Sequence, residues 1–167
     1  MLTRIRTLSL AALFAAALAT PALAKPPWIS IEYPVNPYDA SLRGAFLVVH
    51  TFIHGTPVAL PLAGTAEGIV NGERRTIQLE FTATSRPGVS TLNERWPREG
   101  VWTLVIRAGR APGMVATGVV EIGADGEIAS VRVPTRREGS ATAPADVSMA
   151  EIDKALRARA GALASRR

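Results

Sequence analysis

The sequence of 167 residues contains no cysteine, only two histidines, and aromatic side chains at 5% of positions. Without cysteine there is no disulfide framework, no thiolate nucleophile, no iron–sulfur cluster and no thiolate zinc site. Gly-rich phosphate loops, a nucleophile elbow and a Ser-x-x-Lys pair are missing as well. Nucleophilic catalysis needs a nucleophile beside a base and an orienting group. The only histidine bases, His50 and His54, share one stretch of chain, and the carboxylates are scattered without visible pairing. The expectation is a protein that is not an enzyme.

Charge excludes a second class. Nineteen Lys and Arg stand against 14 Asp and Glu, a net +5. The arginines are spread along the chain, whereas a nucleic-acid reader concentrates cations on one element with aromatics between them. No nucleic-acid partner is expected.

What is present begins with an address. Arg4 and Arg6 form a cationic head, Leu8 to Ala19 is an apolar run, and Ala22-Leu23-Ala24 is a small-x-small site before Lys25. That layout is a secretory signal peptide over residues 1–24, with cleavage near Ala24. The alternative is a retained anchor, but a run of this length covers only about 18 Å of a hydrocarbon core near 30 Å. The protein is expected in the periplasm or outside the cell. Removing residues 1–24 takes away Arg4 and Arg6 and no acid, so the net charge falls from +5 to +3. The remainder is long enough for one domain with one core.

Residues 25–133 read as short β-rich runs separated by turns. Trp28 to Tyr33 is a short strand and Gly44 to His54 a long one, ended by Gly55-Thr56-Pro57. Thr65 to Val70 and Arg74 to Thr82 flank Asn71-Gly72, the strongest local hairpin signal. Ile77, Leu79 and Phe81 alternate with polar residues, the period of a half-buried strand. Val89 to Trp96, Val101 to Ile106, Met114 to Ile122 and Glu127 to Val133 follow. About eight strands with no helix between them predict an all-β fold, an immunoglobulin-like antiparallel sandwich. A closed barrel is the alternative, because spacing does not decide closure.

Residues 134–147 are rich in Pro, Ser, Thr and Ala and read as a flexible linker. Residues 148–167 read as a C-terminal amphipathic helix. Ser148 and Glu151 make a capping box, and Met149, Ile152, Leu156, Ala160 and Leu163 share one face. The stripe is narrow, so the helix is expected to be a mobile tail, dispensable for the fold of residues 28–133. Two receivers are open: the Phe46/Val48/Phe52 face of its own sandwich, or an outside partner. Membrane contact through Lys154, Arg157, Arg159, Arg166 and Arg167 is the weaker option, because the stripe lacks Trp and Phe.

The motifs Asn36-Pro37, Gly55-Thr56-Pro57-Val58, Arg86-Pro87-Gly88-Val89 and Gly100-Val101-Trp102-Thr103-Leu104 together resemble the exported sandwiches of the YtkA-like and FixH-like group, near the CopC-type copper proteins. The resemblance covers about residues 36–106 and implies the fold and an exported compartment. Val89 stands where that group usually has an aromatic residue, and the Met- and His-rich segments of its copper-handling members have no counterpart.

Together with the resemblance, His50, His54 and Met114 form a candidate metal set, with copper as the alternative cofactor. On a strand, four residues span about 13 Å, so both histidines could share one ion only across a bend near Phe52. Otherwise they are surface or strand-end residues. Arg95, Arg98, Arg107 and Arg110 around Trp96 and Trp102 are either an anion clamp or solvated turn residues around a core Trp102. The sequence-based reading is a non-enzymatic binding or accessory module with a protein partner. The alternative is a copper-handling or metalloenzyme-assembly factor.

Overall fold

Asn71 and Gly72 both take positive φ, 52° and 83°, and join β4 (Leu62–Val70) to β5 (Glu73–Gln78) with Val70 opposite Glu73. Two left-handed residues in a two-residue loop match the twist of the flanking strands, which is why Asn-Gly is favoured there. His54 and Gly55, at 53° and 77°, do the same between β2 (Leu47–Ile53) and β3 (Thr56–Pro57), with Ile53 opposite Thr56.

The computed structural model describes residues 26–111 and 114–165, with main chain only at Arg110 and Ala111. The signal segment expected over residues 1–24, the start at Lys25, and Arg166 and Arg167 lie outside the described residues. The remaining strands of the two main sheets are β1 (Trp28–Glu32), β6 (Phe81–Ala83), β7 (Val89–Leu92), β8 (Val101–Ala111), β9 (Met114–Ile122) and β10 (Ile128–Arg132). One sheet runs β1-β2-β7-β6, with β3 also on β2, and the other runs β10-β9-β8-β4-β5. Every ladder is antiparallel. The described strands of the two sheets share no ladder, so the architecture is an immunoglobulin-like sandwich and not a closed barrel.

Between the sheets lie Leu47 and Val49 of β2, Leu92 of β7, Leu104 and Ile106 of β8, and Val120 and Ile122 of β9. Trp102 fills the centre, its indole N–H bonding the Glu99 carbonyl at 2.9 Å. The expected strand from Arg74 to Thr82 divides in two. Leu79 and Glu80 lie between β5 and β6, and the chain passes there from one sheet to the other. The inward alternation survives the crossing, since Ile77, Leu79 and Phe81 all pack on the same core.

β8 is apolar on both faces, and the second face is covered too. α1 (Met149–Ala164) lays Ile152 and Leu156 on Val101 and Val105 of β8 and Val119 of β9, with Ala160 and Leu163 at the margin. The capping box forms as expected: the Ser148 hydroxyl accepts from the Glu151 N–H, and Glu151 accepts from the Ser148 N–H. The expectation of an undocked tail is corrected, and so is its receiver. The helix sits on the β4–β8–β9 face and not on the Phe46/Val48/Phe52 face. Met149 leaves the stripe and is 41% exposed.

The expected linker over 134–147 is also corrected. β11 (Thr135–Glu138) pairs with β12 (Ala141–Pro144) as a hairpin, and Ala143 and Val147 are buried. Asp146 fixes its exit, accepting from the Thr117 hydroxyl at 2.8 Å, the Val147 N–H at 2.8 Å and the Arg107 guanidinium at 3.1 Å. Main-chain pairing and one well-bonded carboxylate order a segment that has almost no large apolar side chains. On the outer face of the first sheet, Val48 is covered by the chain itself. Leu42 of the 3-10 turn Ala40–Leu42 packs there with Val35 and Val89.

Candidate functional site

Three connections, β1 to β2, β7 to β8 and β9 to β10, converge at one end of the sandwich. They enclose a cavity of about 320 Å³ lined by Tyr33, Val35, Ala45, Phe46, Glu94, Arg98, Asp125, Gly126 and Glu127. Loops at a sandwich end can vary without disturbing the core, which is why they commonly carry recognition. The volume is at the lower end of small-molecule sites, roughly 300–1,000 Å³.

One wall is aromatic. Phe46 is pinned by its N–H bond to the Leu92 carbonyl at 2.8 Å. Its ring lies 5.9 Å from the Tyr33 ring and 5.1 Å from Trp96, meeting Trp96 at 86°. Trp96 is 4% exposed, and its Nε1–H has no partner among the described residues. A buried donor left unpaired costs about 1–3 kcal/mol, so this end of the core is less fully satisfied than the Trp102 centre.

The other wall is the β9–β10 turn. The Asp125 carboxylate accepts the Glu127 N–H at 3.0 Å, and Gly123 and Glu127 close the loop through a main-chain bond of 2.7 Å. Gly126 takes a φ of 86°, the left-handed region glycine enters freely. The Tyr33 hydroxyl donates to Glu127 across the cavity, tying the β1 exit to the turn. Glu94, Asp125 and Glu127 share the lining with one guanidinium, that of Arg98, whose Nε is 3.7 Å from Glu94. The lining is therefore net acidic in a chain that is net basic.

The three metal candidates are not brought together. His50 stands on the outward face of β2, where its Nε2 pairs with Glu32 at 2.8 Å and its ring stacks on Phe52. His54 is an exposed turn residue. Met114 opens β9 in register with Ala116, whose side chain faces between the sheets. Strand alternation thus puts His50 and Met114 on opposite sides of the first sheet. Among the described residues, no three His, Asp or Glu side chains gather at metal-ligand spacing.

The arginines do not form a clamp either. Arg95 pairs with Glu80 at 2.6 Å, Arg98 lines the cavity, and Arg107 faces the helix side through Asp146. The Arg110 side chain lies outside the described residues. Trp102 is a core residue. Sequence reading missed the cavity because Tyr33, Phe46, Glu94 and Asp125 come from the two ends of one connection and from two others, with no shared spacing. The available signal was the tyrosine and carboxylates at run ends. Comparison with family models, with curated proteins and with solved structures finds no match.

Proposed function

We propose that the protein is an exported β-sandwich binding module whose ligand seats in the loop-end cavity. The carrying observation is the cavity itself: about 320 Å³, one aromatic wall, and polar groups converging from the loops that connect the strands at one end of the sandwich. Beside an apolar wall, a few convergent polar groups fix a ligand's orientation, and here the polar share of the lining is large. Export is supported by the signal-like segment Arg4 to Ala24 and by the resemblance to exported sandwiches, and the periplasm is the compartment we assign. The binding role extends to an accessory role through a protein partner.

Two measurements test this reading. Fractionation with N-terminal sequencing should find a chain starting at Lys25 outside the cytoplasm, and a chain retained in the cytoplasm with Met1 intact contradicts export. A thermal-shift screen of the mature protein against pooled small molecules should yield ligands that stabilise wild type and not Ala45→Trp, a variant whose indole fills the cavity. Ligands that stabilise both equally contradict the seat, provided Ala45→Trp retains the wild-type circular-dichroism spectrum.

A further inference from the structure

We infer that the cavity takes a cationic group, an ammonium or guanidinium carried by a small amine or by a basic side chain of a peptide. This rests on the cavity being the ligand seat. Three observations carry it.

The first is the reversal of sign. The chain has a net charge of +5, and its arginines are spread along its length, yet this cavity is lined by Glu94, Asp125 and Glu127 against Arg98 alone. Composition would have placed cations here, so the acid excess is local. The second is the aromatic wall. Tyr33 and Phe46 meet at an interplanar angle of 39° and form a corner beside the carboxylates. A cation gains from both a ring face and a carboxylate, whereas an anion is repelled by both.

The third is Arg98. Its side chain is 82% exposed and touches Glu94 at 3.7 Å, the long limit of an ion pair. The protein's own guanidinium already stands at the rim against the carboxylate a ligand would use. It is held loosely enough to be displaced. The volume, about 320 Å³, suits one extended amine or one arginine-sized side chain.

The sign of each substitution follows. Glu94→Gln and Asp125→Asn keep the shape and the hydrogen-bond acceptors but remove charge, so cation binding should weaken about tenfold in the double variant. Arg98→Ala removes the competitor and should tighten binding. The test is an amide chemical-shift titration of the mature protein with 4-aminobutylguanidine, with Nα-acetyl-arginine amide, and with glutarate as the dianion control.

Both cations should shift Phe46, Glu94 and Gly126 saturably, weakly in the double variant and more tightly in Arg98→Ala. Preference for the amine or for the acetylated amide distinguishes a free amine from a peptide as the source. Glutarate binding at the same amides with loss in Arg98→Ala overturns the cation assignment while leaving the seat in place. No saturable shift with either cation up to about 10 mM, weaker than any useful affinity, also overturns it. Unchanged spectra outside the cavity show that the variants fold.

Discussion

Arg74 of β5 bonds Asp153 of α1 at 2.6 Å, and the same guanidinium pairs with the Glu67 carboxylate at 2.9 Å. Glu67 is 3% exposed and also accepts from the Thr76 hydroxyl at 2.7 Å. At the opposite edge, Arg159 of α1 donates to the Trp102 carbonyl at 3.1 Å, the Thr103 hydroxyl at 3.0 Å and the Ile122 carbonyl. Polar clamps on both sides of an apolar seam make the helix a third layer of the domain.

Leu156→Ala should therefore destabilise the protein by about 2–4 kcal/mol, the usual cost of deleting a buried leucine side chain. Thermal and urea unfolding check this together. Cutting the chain after Val147 should cost at least as much, and an unchanged midpoint would mean that the helix does not dock.

Arg74→Ala should cost about 2 kcal/mol, because it leaves the buried Glu67 carboxylate without its cation. Adding Glu67→Gln should recover a large part of that loss. A double-mutant cycle by urea unfolding measures it, and strict additivity of the two substitutions would contradict the pairing.

Asp146 supplies a pH signature. Burial pushes its carboxyl up, but bonds from the Thr117 hydroxyl and the Val147 N–H, with the Arg107 charge, outweigh that and hold it below the ordinary 3.8. A depressed folded pKa contributes stability that is present above the unfolded value and lost as pH falls through the folded one. Wild type should thus lose its advantage over Asp146→Asn below about pH 4 and keep it at neutral pH. Melting temperatures of both proteins from pH 7 to pH 2.5 show whether the curves converge.

Two glycines should respond differently to alanine. A Cβ at Gly68 would come within 2.5 Å of the Trp102 ring, deep in the core. Gly68→Ala should cost about 3 kcal/mol, the upper range for overpacking. At Gly72 a Cβ meets open space, and only the φ of 83° is strained, so about 1 kcal/mol is expected. Equal urea midpoints for the two variants would contradict the packing described here.

Much of this fold is legible in the residues, and the failures have physical reasons. Asn71-Gly72 and the alternation Ile77, Leu79, Phe81 report local geometry, and they fix a hairpin and a buried face. The docked helix was legible too. Val101 and Val105 alternate with Trp102, Leu104 and Ile106 on β8, so this strand is apolar on both faces, the pattern of a sheet covered on both sides. β2 shows the same two-sided pattern, but Leu42 and Val35 cover Val48 on its outer face. The β11–β12 hairpin was hidden because Thr, Arg, Ala and Pro give neither period nor bulk, and its order depends on Asp146 reaching Thr117 on β9. The cavity was illegible for a similar reason. Tyr33 and Glu127 meet only because two sheets end at the same place.

The most direct test is to map ligand contact on residues 25–167 with no ligand chemistry assumed. Amide chemical shifts recorded against a diverse fragment mixture should move together at Tyr33, Phe46, Glu94, Gly126 and Glu127. Shifts concentrated instead on the outward face around Trp28, His50 and Phe52, with the loop-end amides still, would contradict the loop-end seat.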